Sequence, residues 1–429
     1  MPPGKATAAS PMLTDAPTAR SVVPASGMSL YLHVPFCQTK CPYCDFNTYQ
    51  GIENLMSPYR AALTTELGLW GRALDHPVVN TVFFGGGTPS YLPQGAIGQI
   101  LAAAGAAFDL QPDAEITIEA NPGDLNLERC QSLRSQGVNR LSIGVQSLDN
   151  DLLNLLGRRH DASQAMEAFR TARAAGFDNV SLDLMYGLPN QSLEQWQDTL
   201  RRLVALEPSH ISLYCLTVEE GTPLHRWVEQ GQVPRPDVDL AADMYHYAEV
   251  LLADAGYQHY EISNWTRPGL ASRHNLAYWL NQPYLGVGPG AHSCLDHYRF
   301  WEINSPREYI DRVRQWAESA PPVLPMLPVL PVFTEMSEAV LESIPPVGGQ
   351  EYIDPALAAS ETMFLGLRLM DGLDLAAASA RLGTDLLERY RSEIDDLREL
   401  GLLEWHGKQL RLTPRAYLIA NQVFTRFLG

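Results

Sequence analysis

Ser29-Leu30-Tyr31-Leu32-His33-Val34-Pro35-Phe36-Cys37-Gln38-Thr39-Lys40-Cys41-Pro42-Tyr43-Cys44-Asp45-Phe46-Asn47 is the stretch on which the reading of this chain turns. An apolar, β-favouring run leads into a short loop with cysteines at C-x3-C-x2-C spacing. The other three of the six cysteines, Cys130, Cys215 and Cys294, are far apart in sequence. Each iron of a [4Fe–4S] cube takes one soft thiolate, so Cys37, Cys41 and Cys44 can hold three irons and leave the fourth open. An open metal position can bind a substrate or cofactor. A structural zinc site with His33 as the fourth ligand is the main alternative. It is weakened by the absence of a second ligand pair elsewhere. A disulfide with one thiol left over suits a small secreted domain better than a chain of 429 residues.

Outward from this loop, apolar runs alternate with helical patterns. Leu30 to Val34 reads as the first strand. Ser57-Pro58 opens a helix with Ser as N-cap, and Tyr59, Leu63, Leu67, Trp70 and Leu74 give it an apolar face. Further strands are expected at Thr81 to Phe84, Glu115 to Glu119, Arg140 to Val145, Val180 to Leu184 and His210 to Leu216, with another over Tyr257 to Ile262. Six β–α repeats imply a parallel sheet with outer helices, and spacing alone leaves an open sheet and a barrel both standing. In barrels of this type the chemistry sits at the C-terminal strand ends. Gly85-Gly86-Gly87-Thr88-Pro89, Glu119, Gln146 and Asp183 all fall at or just past such ends.

Residues 320–354 open with a run dense in proline, which favours extended backbone and reads as an insertion or linker. The remainder reads helix, helix, hairpin, helix. Leu386 to Leu400 is amphipathic, Leu402 to Trp405 and Gln409 to Leu412 form a wing, and Pro414 starts the last helix. Basic and acidic residues are nearly balanced there, so this winged-helix-like module lacks a phosphate footprint, and a packing or lid role is expected. The net charge of −18 likewise argues against a general nucleic-acid binder. No run approaches the roughly 20 apolar residues of a membrane span. The first residues, rich in Pro, Ala, Ser and Thr, read as a disordered tail without a secretory h-region. Thiolates that hold a cluster need a reducing compartment, so a cytoplasmic location is expected.

The cysteine loop after a strand resembles the radical S-adenosylmethionine (SAM) superfamily. The longer string Y-L-H-V-P-F-C-x3-C-P-Y-C-D-F-N is similar to the branch that contains oxygen-independent coproporphyrinogen III oxidase and the HemW-type haem chaperones. The resemblance implies a partial (β/α)6 TIM-like α/β barrel with a C-terminal winged-helix-like α+β domain. The expected divisions are a tail over 1–28, the barrel over 29–262, a barrel extension over 263–319, the Pro-rich insertion over 320–354 and the C-terminal domain over 355–429. It further implies that SAM chelates the open iron and that an electron from the cluster splits it to a 5′-deoxyadenosyl radical. Carried over by motif, Cys37, Cys41 and Cys44 hold the cluster. Tyr31, Tyr43, Gly86, Gly87, Thr88, Glu119, Gln146, Arg158 and Asp183 match SAM-contacting positions.

Two features select the branch. Where the coproporphyrinogen oxidase pattern has a further cysteine, this chain has Phe46. In addition, Arg273-His274-Asn275-Leu276-Ala277-Tyr278-Trp279 carries the H-N-x-x-Y-W string of HemW-type chaperones. His274 is the candidate haem ligand, with a helix cap and core contact as the alternative reading. His292, in a second Gly-rich turn, is a weaker candidate. The expected function is therefore uptake of haem and its transfer to client haem proteins such as respiratory enzymes. [4Fe–4S], SAM and haem are the expected cofactors. SAM cleavage is expected to be within reach and coproporphyrinogen III oxidation to be absent. The alternative is an oxygen-independent coproporphyrinogen III dehydrogenase of porphyrin biosynthesis. Membrane-associated clients and a homodimer are further expectations for partners, and nucleic acid is not one.

Overall fold

The computed structural model describes residues 22–23, 26–319 and 332–428. Most of the expected tail and the proline-dense run at 320–331 lie outside these residues. Six strands lie side by side in chain order, with the cysteine loop following the first: β1 (Met28–Val34), β2 (Val78–Gly86), β3 (Asp109–Ala120), β4 (Arg140–Gln146), β5 (Asn179–Tyr186) and β6 (His210–Cys215). Each pairs in parallel with the next. Helices join them and pack outside, as right-handed β–α–β crossovers require. The α/β reading and its six parallel units are borne out.

Six further strands extend this sheet: β7 (Gln258–Glu261), β8 (Asn264–Thr266), β9 (Tyr284–Val287), β10 (His292–Leu295), β11 (Tyr298–Glu302) and β12 (Val347–Tyr352). The order is β12-β11-β10-β9-β1-β2-β3-β4-β5-β6-β8-β7, so the sheet has two free ends and does not close. β9 is parallel to β1, while β10 to β12 and β7 to β8 are antiparallel additions. The segment read from sequence as insertion or linker up to residue 354 is thus built in part into the sheet. Its described portion contributes a short helix, Glu338–Glu342, and edge strand β12. Phe333 also packs edge-on against Trp70, which anchors the returning chain to the core.

Two local expectations differ from the structure. Ser57 is not a cap: a 3-10 turn over Glu53–Leu55 runs straight into the helix Met56–Ala73, whose N-cap Leu55 makes no side-chain bond. The apolar face expected for that helix does form, and Tyr59, Leu63, Leu67 and Trp70 are fully buried. The expected helix over Leu386 to Leu400 is broken at Tyr390, between Leu386–Arg389 and Arg391–Glu399. There the tyrosine ring turns inward against Phe427 and its hydroxyl meets Ser360.

The C-terminal module carries its own apolar core and a small sheet of β13 (Leu373–Asp374), β14 (Leu403–His406) and β15 (Gln409–Leu412), in order β13-β15-β14. It docks on the barrel through Arg368, which pairs with buried Glu261 at 3.5 Å and lies over the Trp279 ring at 4.2 Å.

Parallel strands covered on both faces are usually apolar on both. Here one face of β3 to β6 is apolar (Ile118, Leu141, Ile143, Leu182, Leu184, Ile211 and Leu213) and packs under the helices. The other face carries Thr117, Glu119, Arg140, Ser142, Ser181, Asp183, His210 and Ser212. That alternation of period two places a polar interior within the curl of the sheet.

Candidate functional site

The cysteine loop is closed at its base. Cys37 donates its N–H to Tyr49 O at 2.9 Å, and Tyr49 donates to Pro35 O at 2.8 Å. Lys40 Nζ reaches back to Phe46 O and Thr48 O, both at 3.1 Å, which holds the loop around its own cation. Beyond β2 the glycine run keeps pace with the loop: Gly87 N–H bonds Val34 O at 2.7 Å and Thr88 N–H bonds Phe36 O at 2.8 Å. Glycine is required at this approach. Gly86 has φ +105, and a Cβ there would sit 2.5 Å from the His33 ring. A Cβ on Gly87 would sit 2.7 Å from Phe36 O. His33 cannot yield readily, since Tyr31 OH holds its Nδ1 at 3.1 Å and Asn47 O its Nε2 at 2.9 Å. His33 is therefore committed to shaping the loop.

The thiols meet donors. Thr88 Oγ1 lies 3.5 Å from Cys37 Sγ, and Arg158 Nη1 lies 3.5 Å from Cys41 Sγ. Burial pushes the Cys37 and Cys44 thiols up, with the Thr88 hydroxyl opposing the shift at Cys37. Arg158 also donates from Nη2 to Gly144 O at 2.8 Å, while its Nε is enclosed without a partner. Gly144 lets this happen: a Cβ there would meet the Gln146 amide at 3.0 Å and Arg158 at 3.2 Å. Gln146 itself has φ +65 beside a register shift in β4, so its side chain is aimed by strained backbone at the strand end.

Deeper in, Glu119 accepts the Gly86 N–H at 3.2 Å. Burial, then the nearby Asp183 charge, raise its pKa to about 8. Asp183 accepts hydroxyls from Ser142 at 2.7 Å and Ser181 at 2.8 Å, which fix both of its oxygens. His274 lies at the inner end on the helix Arg273–Trp279. The buried Glu115 carboxylate accepts N–H groups of Arg273 at 3.0 Å and His274 at 3.1 Å, pinning that helix inside the sheet. His274 is 1% exposed, and both its ring nitrogens are engaged, by Thr81 Oγ1 at 2.8 Å and Tyr278 OH at 3.0 Å. It stacks on Phe83 at 5.0 Å, and burial lowers its pKa to about 3.

These groups enclose one cavity of about 550 Å³. Cys37, Cys41, Cys44, Tyr31, Tyr43, Gly86, Gly87, Thr88, Glu119, Gln146, Arg158, Asp183 and His274 all line it. His292 does not; it stacks on Trp301 away from the cavity. Among the described residues no three His, Cys, Asp or Glu side chains converge on a point where one metal ion would sit. Three thiols facing one cavity from separate points suit a polynuclear cluster better than zinc. The glycine cradle and the orphaned Arg158 Nε suit an anionic, close-lying ligand beside it. The residues present therefore fit a [4Fe–4S] cluster and SAM.

Sequence reading missed Arg140, Ser142, Ser212 and Tyr214, which also line the cavity. Their signal was the period-two polar face of β4 and β6, which carries no local motif.

The radical SAM superfamily model matches residues 31–203 and the HemN C-terminal domain model matches residues 353–419. The heme chaperone HemW of Mycobacterium tuberculosis is 37% identical, covering 95% of this chain and 96% of that protein. That of Bacillus subtilis is 34% identical, covering 94% and 99%. The solved structure of coproporphyrinogen III oxidase (HemN) from Escherichia coli, a radical SAM enzyme, superposes with a TM-score of 0.77. It is 23% identical and covers 95% of this chain and 91% of that one, a likeness of fold. This chain belongs to the HemW family of radical SAM proteins.

Proposed function

We propose that this HemW-family chain is a haem chaperone, which takes up haem and hands it to client haem proteins. In this reading Cys37, Cys41 and Cys44 hold the cluster. SAM is held by Tyr31, Tyr43, Gly86, Gly87, Thr88, Glu119, Gln146, Arg158 and Asp183. When bound, the cluster supplies a one-electron reductant and an iron with an open position. The chain's own residues bind and orient: the glycine cradle admits a ligand against backbone, Arg158 can pair with a carboxylate, and the inserted helix closes the inner end against water.

The observation that carries the reading is Phe46. It is 64% exposed at the cavity mouth, in the place where the oxidase pattern has a further cysteine. A thiol used there in turnover is replaced by an exposed apolar surface, which suits docking of a hydrophobic cargo or client. His274 as the haem ligand would require it to give up Tyr278. No helix of the described residues is long and apolar enough to cross a membrane.

The test is an absorbance titration of anaerobic, cluster-loaded protein with haem, followed by mixing with an apo haem protein. Saturable binding and transfer of haem faster than from free solution are expected. Absence of a saturable haem spectrum would refute the proposal.

A further inference from the structure

The cavity floor holds a cation that nothing on the chain satisfies. Arg140 opens β4, points to the interior and is 2% exposed. Among the described residues its guanidinium makes no hydrogen bond and no ion pair, and its Nε is fully enclosed without a partner. A guanidinium carries five N–H donors, and a buried donor left unmet is costly. The two nearby acids are spoken for. Asp183 takes its two bonds from Ser142 and Ser181, and Glu119 takes one from Gly86.

A second orphan stands beside it. Thr117, on β3, is fully buried and its Oγ1 has no partner. Thr117 and Arg140 are register partners across the parallel pair, so their side chains share the inner face. Around them the floor is otherwise closed: His274 is held by Thr81 and Tyr278, and His210 by Ser181 and Tyr260. Burial keeps both histidines neutral, so neither competes for an anion. Arg140 lines the cavity and Thr117 lies beside it on the same inner face of the neighbouring strand, so an unmet guanidinium and an unmet hydroxyl stand together as a donor set for a planar oxyanion.

We propose that this floor is a carboxylate subsite, with Arg140 as the cation and Thr117 as the second donor. It is separate from Arg158, which stands at the rim beside Cys41. Two sources supply this chemistry: a propionate side chain of a tetrapyrrole, or a small free organic acid. The first source rests on the haem reading above; the subsite itself does not.

The experiment has two arms on full-length, cluster-loaded, anaerobic protein, using wild type, Arg140→Gln, Arg140→Lys and Thr117→Val. In the first arm the thermal midpoint is recorded with sodium succinate against sodium chloride at matched ionic strength. Succinate raises the midpoint of wild type by about 2 °C, as mass action predicts for a ligand well above its Kd. Arg140→Lys keeps part of the rise, Thr117→Val about half, and Arg140→Gln none. In the second arm haem and its dimethyl ester are titrated by absorbance. Wild type binds haem about tenfold tighter than the ester, and Arg140→Gln loses that preference.

Both effects together assign a tetrapyrrole propionate. The succinate effect with equal binding of haem and ester assigns a small free acid and keeps the subsite. A wild type that binds no haem at all refutes the haem reading alone, and the succinate arm still judges the floor. If neither arm separates wild type from Arg140→Gln, the proposal is overturned. Loss of SAM binding in Arg140→Gln would assign the guanidinium to the cofactor and overturn it as well.

Discussion

The rim of the cavity and its floor follow opposite rules. On most of the floor the chain satisfies itself: His274 spends both ring nitrogens on Thr81 and Tyr278, and Glu115 receives the first N–H groups of the inserted helix. At the rim the Arg158 Nε is left without a partner, and three free thiols and a glycine cradle face the same cavity. A buried polar group that the chain completes is held for structure, and one left incomplete is available to a ligand. Arg140 and Thr117 are the part of the floor that follows the rule of the rim.

The largest expected effect sits at the rim. Replacing Cys37, Cys41 or Cys44 by Ser should remove the cluster, read as loss of iron and of the visible thiolate-to-iron absorbance. Full iron retention in all three variants would erase the contrast. Gly86→Ala comes next. The positive φ and the pinned His33 ring should cost about 1–3 kcal/mol and weaken SAM binding by about tenfold or more, with iron retained. Unchanged SAM affinity by equilibrium dialysis would remove the cradle from the account.

On the floor the effect should be on folding. His274→Ala should lower the unfolding free energy by about 2–4 kcal/mol, measured by denaturant titration, and leave haem affinity within about threefold. A stable variant that no longer binds haem would make His274 a ligand and move it to the rim's side of the comparison.

The pH profile sharpens the same contrast. Burial lowers the His274 pKa to about 3 and those of His160 and His259 to about 4, from an ordinary 6.5. These stay neutral when folded and take a proton once unfolded, so below pH 6.5 their contribution to stability is lost. Burial raises Glu119 to about 8 and Glu66 to about 7, from 4.5. These keep a proton when folded and release it once unfolded, so stability falls as pH rises above 4.5. The two slopes oppose each other between 4.5 and 6.5, and metal-free protein should be most stable there. Denaturation midpoints that keep rising to pH 8 would contradict the buried carboxyl groups. The smallest effect is expected at Phe46, where Phe46→Ser should change stability by less than about 0.5 kcal/mol while weakening haem uptake.

What the sequence disclosed was local. The cysteine loop, the glycine run and the strand residues Glu119, Gln146 and Asp183 are short motifs beside apolar runs, and each strand could be read from its own composition. What it withheld depends on distant pairing. β12 joins β11 only after the chain returns from residues 320–331, and no local pattern announces that register. The break at Tyr390 depends on Phe427, and the start of the Met56–Ala73 helix on a preceding turn. Arg140 and Thr117 went unnoticed because a polar residue in a parallel strand gains meaning only when its neighbours across the sheet are known.

The most direct test is one anaerobic incubation of cluster-loaded protein with SAM, reductant and coproporphyrinogen III, followed by titration of the same sample with haem. Protoporphyrinogen and 5′-deoxyadenosine are measured together. The account predicts no tetrapyrrole product and a saturable haem spectrum. Protoporphyrinogen formed over many turnovers would contradict it and make this chain an oxidase despite Phe46.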